Sequence, residues 1–181
     1  MTERGKVNVD DISLRSETPD DFAAIREILN LAFPEEEVAA LVTHLRQTRG
    51  YDPELSLVSE LHGTITGFVM FTPAFIESNG GTVPVMILAP LAVHPNWQKQ
   101  GIGSLLTLHG LEQCRRLGNR IVIVIGHSNY YPKFGFVQAG LLGISIAQGK
   151  LEESKMVLGL VPGALDGVTG TVRLPTILDE A

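Results

Sequence analysis

Val93-His-Pro-Asn-Trp-Gln-Lys-Gln-Gly-Ile-Gly-Ser104 is the stretch on which the reading of this chain turns. On its N-terminal side lies Val83–Val93, a long apolar run rich in β-branched and aliphatic residues, which reads as a buried central strand. On its C-terminal side the period changes. Ile102, Leu105, Leu106, His109, Gly110, Cys114 and Leu117 share one arc of a helix over 102–117, with Gly118 as terminator. The stretch is therefore a strand-to-helix turn, with Gly101 and Gly103 in the first helical turn. Helix N-termini present unpaired N–H groups carrying partial positive charge, and such groups bind phosphate. Glycines there let an anion approach the backbone closely, while Ser104 adds a hydroxyl and Lys99 a mobile cation. A glycine-rich helix start with no ligand is the competing reading of these residues.

Outward from this turn, Ile121–Ile125 is five consecutive β-branched aliphatics, too short for a helix and suited to a buried strand. Upstream, Leu55–Leu61 and Thr64–Phe75 read as a hairpin about a tight His62-Gly63 turn. Before it come two helices. The first starts near Thr18, a capping residue, with Pro19, Asp20 and Asp21 suited to a first turn. Phe22, Ile25, Ile28, Leu29 and Ala32 carry its apolar face, and Pro34 stops it. The second starts at about Glu36, places Val38, Leu41, Val42 and Leu45 inward, and ends before Gly50. Residues 1–11 are polar and read as loose, and the tail over 141–181 as closing strands, with Met156–Val161 among them. This order gives an α+β chain around a mixed sheet.

Length and composition fit one domain over 1–181. Of 181 residues 44% are hydrophobic and 19% charged, enough apolar material for a core. No apolar stretch approaches the ~20 residues that span a bilayer, and the first residues carry no apolar leader. The expectation is a cytoplasmic protein without membrane association. A net charge of −6 argues against nucleic acid, which needs a concentrated basic face. Cys114 is the only cysteine, so an internal disulfide and a multi-cysteine metal site are both excluded. The five histidines show no ligand spacing, and no metal is expected.

Two nucleotide motifs fit the turn poorly. The dinucleotide fingerprint wants a third glycine where Leu106 stands, and the P-loop wants Gly-Lys-Ser/Thr where Ser104 follows Gly103 directly. What fits is Gln/Arg-x-x-Gly-x-Gly/Ala, met by Gln98, Gly101 and Gly103. Here the chain resembles the GNAT superfamily of acetyl-CoA-dependent N-acetyltransferases. Leu91-Ala-Val93 followed by His94-Pro95 is similar to that family's strand before the loop, and Tyr131-Pro-Lys-Phe-Gly-Phe136 to its Tyr-x-Lys-x-Gly-Phe segment. The ending Leu160-Val-Pro-Gly-Ala-Leu, then Gly170-Thr-Val-Arg, resembles one subgroup of the family. The resemblance covers roughly residues 12–140. It implies a mostly antiparallel central sheet flanked by helices, with two strands splayed apart to admit the pantetheine. Pro90, which cannot donate to a central ladder, agrees with a bulge at that place.

The resemblance also implies a site. Acetyl-CoA is the expected cosubstrate, held by Leu91, Ala92, Val93, Gln98, Lys99, Gln100, Gly101, Ile102, Gly103, Ser104, Asn129 and Tyr131. Tyr131 matches the tyrosine that protonates the departing thiolate, whereas the neighbouring Tyr130 reads as a packing aromatic. The base stays open between His127, at the end of the Ile121–Gly126 strand, and Glu60, on the first hairpin strand. Cys114 lies on a buried helical arc with no group beside it in sequence to lower its pKa, so acetyl passes directly to the amine. Trp97 reads as a wall of the loop. The acceptor is an unidentified amine of a small molecule or protein, and its selection is assigned to the first helices and a Phe75–Val85 loop. Glu35, Glu36 and Glu37 are candidates to attract a cationic amine, against a solvated helix start. A homodimer is left open. The alternative to an enzyme is a CoA-binding regulatory module without catalysis.

Overall fold

His62 and Gly63 both adopt positive φ, 49° and 80°, so two residues suffice to reverse the chain with the twist the flanking strands need. The strands they join are β2 (Ser56–Leu61) and β3 (Thr64–Ser78). β3 turns again and pairs along its length with β4 (Gly81–Val93), from Ser78 opposite Gly81 to Gly67 opposite Val93. The Phe75–Val85 segment is therefore not a loop but the far end of this long hairpin, with Phe75 opposite Pro84 and Ile76 opposite Val83. Asn79-Gly80 is the turn signal that locates the reversal. The computed structural model describes residues 8–33, 37–147 and 151–174; Pro34 as helix stop, and Glu35 and Glu36 as candidates to attract an amine, lie outside the described residues.

One strand was not anticipated. β1 (Ile12–Ser16) pairs antiparallel with β2, Ile12 opposite Leu61 through Ser16 opposite Leu57. Its alternation is weak, with Ile12 and Leu14 as its only apolar residues. A 3₁₀ turn, Pro19–Asp21, leads into α1 (Phe22–Ala32), and α2 (Glu37–Leu45) follows. Both helices pack on one face of the sheet, where Ile25, Ile28, Leu29, Val42 and Leu45 meet Val58, Phe68, Met70 and Ala92. α3 (Ile102–Arg116) covers the other face, with Ile102, Leu106, Leu111 and Cys114 against Leu57, Val69, Phe71, Leu88, Val122 and Val124. Residues one apart in β2 and β3 go to opposite cores, as strand alternation requires.

β5 (Ile121–Ile125) joins β4 in parallel, and the C-terminal strands complete the sheet. β8 (Lys155–Gly159) lies antiparallel to β5, with β6 (Val137–Gln138) beyond it. β9 (Gly170–Arg173) returns to pair with β3 at Phe75–Glu77 and with β7 (Ile144–Ser145). Most pairs are antiparallel; β4–β5 and β7–β9 are parallel. The expected mixed, mostly antiparallel α+β sheet is thus present.

The expected splay is present as well. β4 and β5 are partnered only at Met86 with Val122 and Ile87 with Ile123, although β4 runs on to Val93. Where they part, β4 bulges: Val69 faces Leu91 and Phe71 faces Leu88, so Ala89 and Pro90 stand opposite Met70 alone. Pro90, lacking an N–H, sits where the ladder is already broken.

Candidate active site

The end of β4 and the start of α3 build the floor of a cleft. After Val93 a 3₁₀ turn, Pro95–Trp97, redirects the chain, and Gln98 is extended. Lys99 and Gly101 then take positive φ, 62° and 89°. The left-handed step at Gly101 is the one that glycine makes without strain. It leaves α3 with a capping residue that has no side chain, so among the described residues the capping position accepts nothing from the first-turn N–H groups. Gln98 Nε2 donates to the Val93 carbonyl at 3.0 Å and fixes the loop to the strand end. Ser104 Oγ, in the first turn, accepts from Lys133 Nζ at 2.9 Å.

The parting of β4 and β5 opens this floor into a cleft of about 450 Å³. Leu91, Val93 and Trp97 line one side; His127, Tyr130, Tyr131 and Lys133 line the other. These last residues come from the turn after β5, where a second 3₁₀ turn, Tyr131–Phe134, follows Gly126. Gly126 is required by packing: a β-carbon there would lie 2.4 Å from Tyr131 Cε2. The Tyr131 ring is 6% exposed and packs edge-on against Phe136 at 5.6 Å and Tyr130 at 5.0 Å. Burial pushes its phenol above the ordinary tyrosine value.

Tyr130 occupies an unusual place. Its hydroxyl is buried without a hydrogen-bond partner, and it would stand 3.0 Å from a β-carbon at Gly103. Gly103 therefore makes room for Tyr130. An orphan buried hydroxyl carries a penalty of about 1–3 kcal/mol.

Of the residues singled out in the sequence, the structure brings Leu91, Val93, Gln98, Lys99, Gly101, Ile102, Gly103, Ser104, His127 and Tyr131 to this one cleft. Others it does not bring. Ala92 points to the opposite face and is 3% exposed among the α1 and α2 contacts, because neighbours on a strand alternate. Gln100 and Asn129 are not among the lining residues. Glu60 is not among the lining residues either; Arg15 engages it, with Nε at 2.9 Å and Nη2 at 2.7 Å from Oε2. Arg15 in turn holds Asp21 at 2.7 Å. Tyr130, read from the sequence as a packing aromatic, and Lys133, given no role there, also line the cleft. Lys133 was already inside the Tyr131–Phe136 segment, but nothing in its spacing told that it would reach α3.

Comparison with known proteins adds a second line. The Acetyltransferase (GNAT) family profile matches residues 22–136. The chain belongs to the GNAT acetyltransferase family. It is 30% identical over 160 residues to the N-acetyltransferase YhbS of Escherichia coli K12, covering 88% of this chain and 94% of that protein. It is 38% identical over 116 residues to the N-acetyltransferase YjhQ of the same organism, a match spanning 64% of each chain. The crystal structure of E. coli YhbS with CoA superposes with a TM-score of 0.85 at 29% identity, covering 93% of this chain and 92% of that one. A GNAT acetyltransferase from Brucella melitensis, solved with acetyl-CoA, gives 0.74 at 29% identity, covering 93% and 98%. As a GNAT protein this chain is an acyltransferase. Among the described residues no helix is long and apolar enough to cross a membrane, and no three or more His, Cys, Asp or Glu side chains group as metal ligands.

Proposed function

We propose that this protein transfers an acetyl group from acetyl-CoA directly to an amine, with Tyr131 as the acid and His127 as the base. The observation that carries the reading is the placing of a buried tyrosine and an uncapped helix N-terminus in one cleft between parted strands. YhbS and the Brucella protein, whose structures hold CoA and acetyl-CoA, support the choice of donor. The residues present fit such a group. Cationic Lys99 and Lys133, Ser104 and the first-turn N–H groups suit a diphosphate, and the orphan Tyr130 hydroxyl is a donor still lacking an acceptor. From Leu88 to Val93 the β5-side edge of β4 has no strand partner, so its backbone suits an amide-bearing arm.

Acetyl-CoA supplies the activated acetyl thioester. The chain's residues hold it and move two protons. Lys99, Lys133 and the α3 N-terminus bind phosphate oxygens, and Leu91 and Val93 present an apolar wall. As the amine nitrogen bonds to the acetyl carbon and the carbon–sulfur bond breaks, Tyr131 Oη gives its proton to sulfur. Its raised pKa keeps the phenol protonated at neutral pH, which is the state a donor needs. His127, which lines the same cleft, takes the proton that the amine loses. Cys114 takes no part. It is 0% exposed in the core under α3, and burial pushes its thiol up to about 12.

The Tyr131→Phe variant tests this reading. Phenylalanine keeps the ring contacts, so acetyl-CoA affinity by calorimetry should stay within about twofold. The lost proton donor should lower kcat by ~10²-fold with little change in KM. Turnover at the wild-type rate with chemistry rate-limiting would remove Tyr131 from catalysis. Acetyl-CoA binding without acetylation of any amine in a broad panel would instead point to a binding module.

A further inference from the structure

Lys133 is placed against a local rule. Cations are disfavoured at the positive end of a helix dipole, yet its Nζ lies 2.9 Å from Ser104 Oγ in the first turn of α3. Lys99 lines the same cleft, and among the described residues its lining includes no carboxylate. What holds Lys133 there is aromatic: its ammonium sits 4.0 Å from the Tyr130 ring centroid and 4.9 Å from that of Phe134. Tyr130 is the residue whose hydroxyl has no partner, and Tyr131 follows it directly. The 127–136 turn therefore reaches the phosphate loop through one lysine and one tyrosine. Among the described residues the Lys133 ammonium meets a neutral hydroxyl and two ring faces, and the Tyr130 hydroxyl meets no partner.

Resting on the proposed donor, we infer that Lys133 is a positioning residue that couples phosphate binding to the seating of Tyr131. An anion at the α3 N-terminus satisfies Lys133 and fixes the turn from His127 to Phe134. Tyr131 is thereby set before the thioester end of the donor arrives. The diphosphate half of the donor then serves the chemistry as well as affinity, since binding energy remote from the reacting atoms is used to order the acid.

Inorganic pyrophosphate is the probe, and two readouts that need no acceptor follow it. Trp97 is the only tryptophan and lines the cleft, so its fluorescence reports binding. Hydrogen exchange reports the turn, whose Tyr130 and Gly135 amides donate to the His127 and Pro132 carbonyls. In the wild type, pyrophosphate should slow exchange at both amides. Lys133→Met should weaken pyrophosphate binding at least tenfold and abolish that slowing, while Lys133→Arg should retain both. Lys133 is exposed, so the variants should fold, as thermal unfolding checks. The inference is overturned if Lys133→Met binds pyrophosphate as tightly as wild type, or slows the same amides equally. It is also overturned if the wild type binds acetyl-CoA but pyrophosphate leaves the turn unprotected. Failure of the wild type to bind acetyl-CoA at all would sink the donor assignment, and this inference with it.

Discussion

Gly126 acts through what it lacks. A β-carbon would overlap the Tyr131 ring edge at 2.4 Å, so alanine must displace either the β5 end or the ring. Gly126→Ala should cost about 1–3 kcal/mol of stability, as overpacking generally does. It should also lower kcat at least tenfold while leaving acetyl-CoA affinity near wild type, because the 98–104 loop is untouched. The decisive comparison is with Tyr131→Phe. If Gly126 matters through the phenol, adding Gly126→Ala to Tyr131→Phe should lower kcat no further, although stability still falls. Equal kcat losses in both backgrounds would show that glycine serves something else. At this scale the sequence showed some placements and hid others. Gln98, Gly101, Gly103 and Tyr131 reach one cleft, as their motifs suggested. The surroundings of Glu60 could not be read, because a carboxylate's partner depends on register: Arg15 reaches it only once β1 pairs with β2, Ser13 opposite Glu60. The orphan state of Tyr130 could not be read at all, since it exists only where α3 meets the 127–136 turn.

Among elements, the junction of β1, β2 and α1 is tied by one arginine. Arg15, on β1, reaches Asp21 before α1 and Glu60 on β2. Asp21 also accepts the Thr18 N–H at 2.7 Å and the Thr18 hydroxyl at 3.1 Å, closing a capping box with Thr18 at the entry to α1. Led by the Arg15 hydrogen bonds, these contacts hold the Asp21 carboxyl down at about 2, against 3.8 for the free group. A folded pKa below the unfolded one stabilises the protein above about pH 4, and that stability is lost as pH falls toward 2. At about 1.4 kcal/mol per pH unit of separation, wild type should lose roughly 2 kcal/mol more than Asp21→Asn between pH 5 and pH 2. Urea unfolding across that range checks it; parallel curves for the two proteins would show that the ion pair adds nothing. Elements with strong periodicity, such as α1, α3 and β5, were evident in the sequence. β1 was not, because its register with β2 and the arginine clamp, rather than its own alternation, hold it in the sheet.

At the scale of the molecule, the β4–β5 junction divides the sheet. Two facing pairs, Met86–Val122 and Ile87–Ile123, hold the strands together there. A ligand lying between the parted strands touches both parts and binds only the folded chain. Acetyl-CoA at 100-fold its Kd should therefore add ~2.7 kcal/mol to unfolding, whereas ATP and NAD, lacking a thioester arm, should add less. Equal stabilisation by all three in urea titrations would mean that the loop reads phosphate alone. The splay also bears on how the protein avoids sticking to itself. A strand edge with free donors and acceptors invites pairing by other chains, and most sheets carry that hazard at their rims. Here a stretch of such edge lies inside the sheet, along β4 beyond Ile87, in a wedge that narrows to the paired rows. A neighbouring molecule's strand brings side chains on both faces and needs ~4.8 Å spacing kept along its length. It cannot enter a gap that the paired rows at Met86 and Ile87 close at one end. A thin flexible chain of amides can, so a cleft shaped for the proposed donor also keeps out the partner that would begin an aggregate.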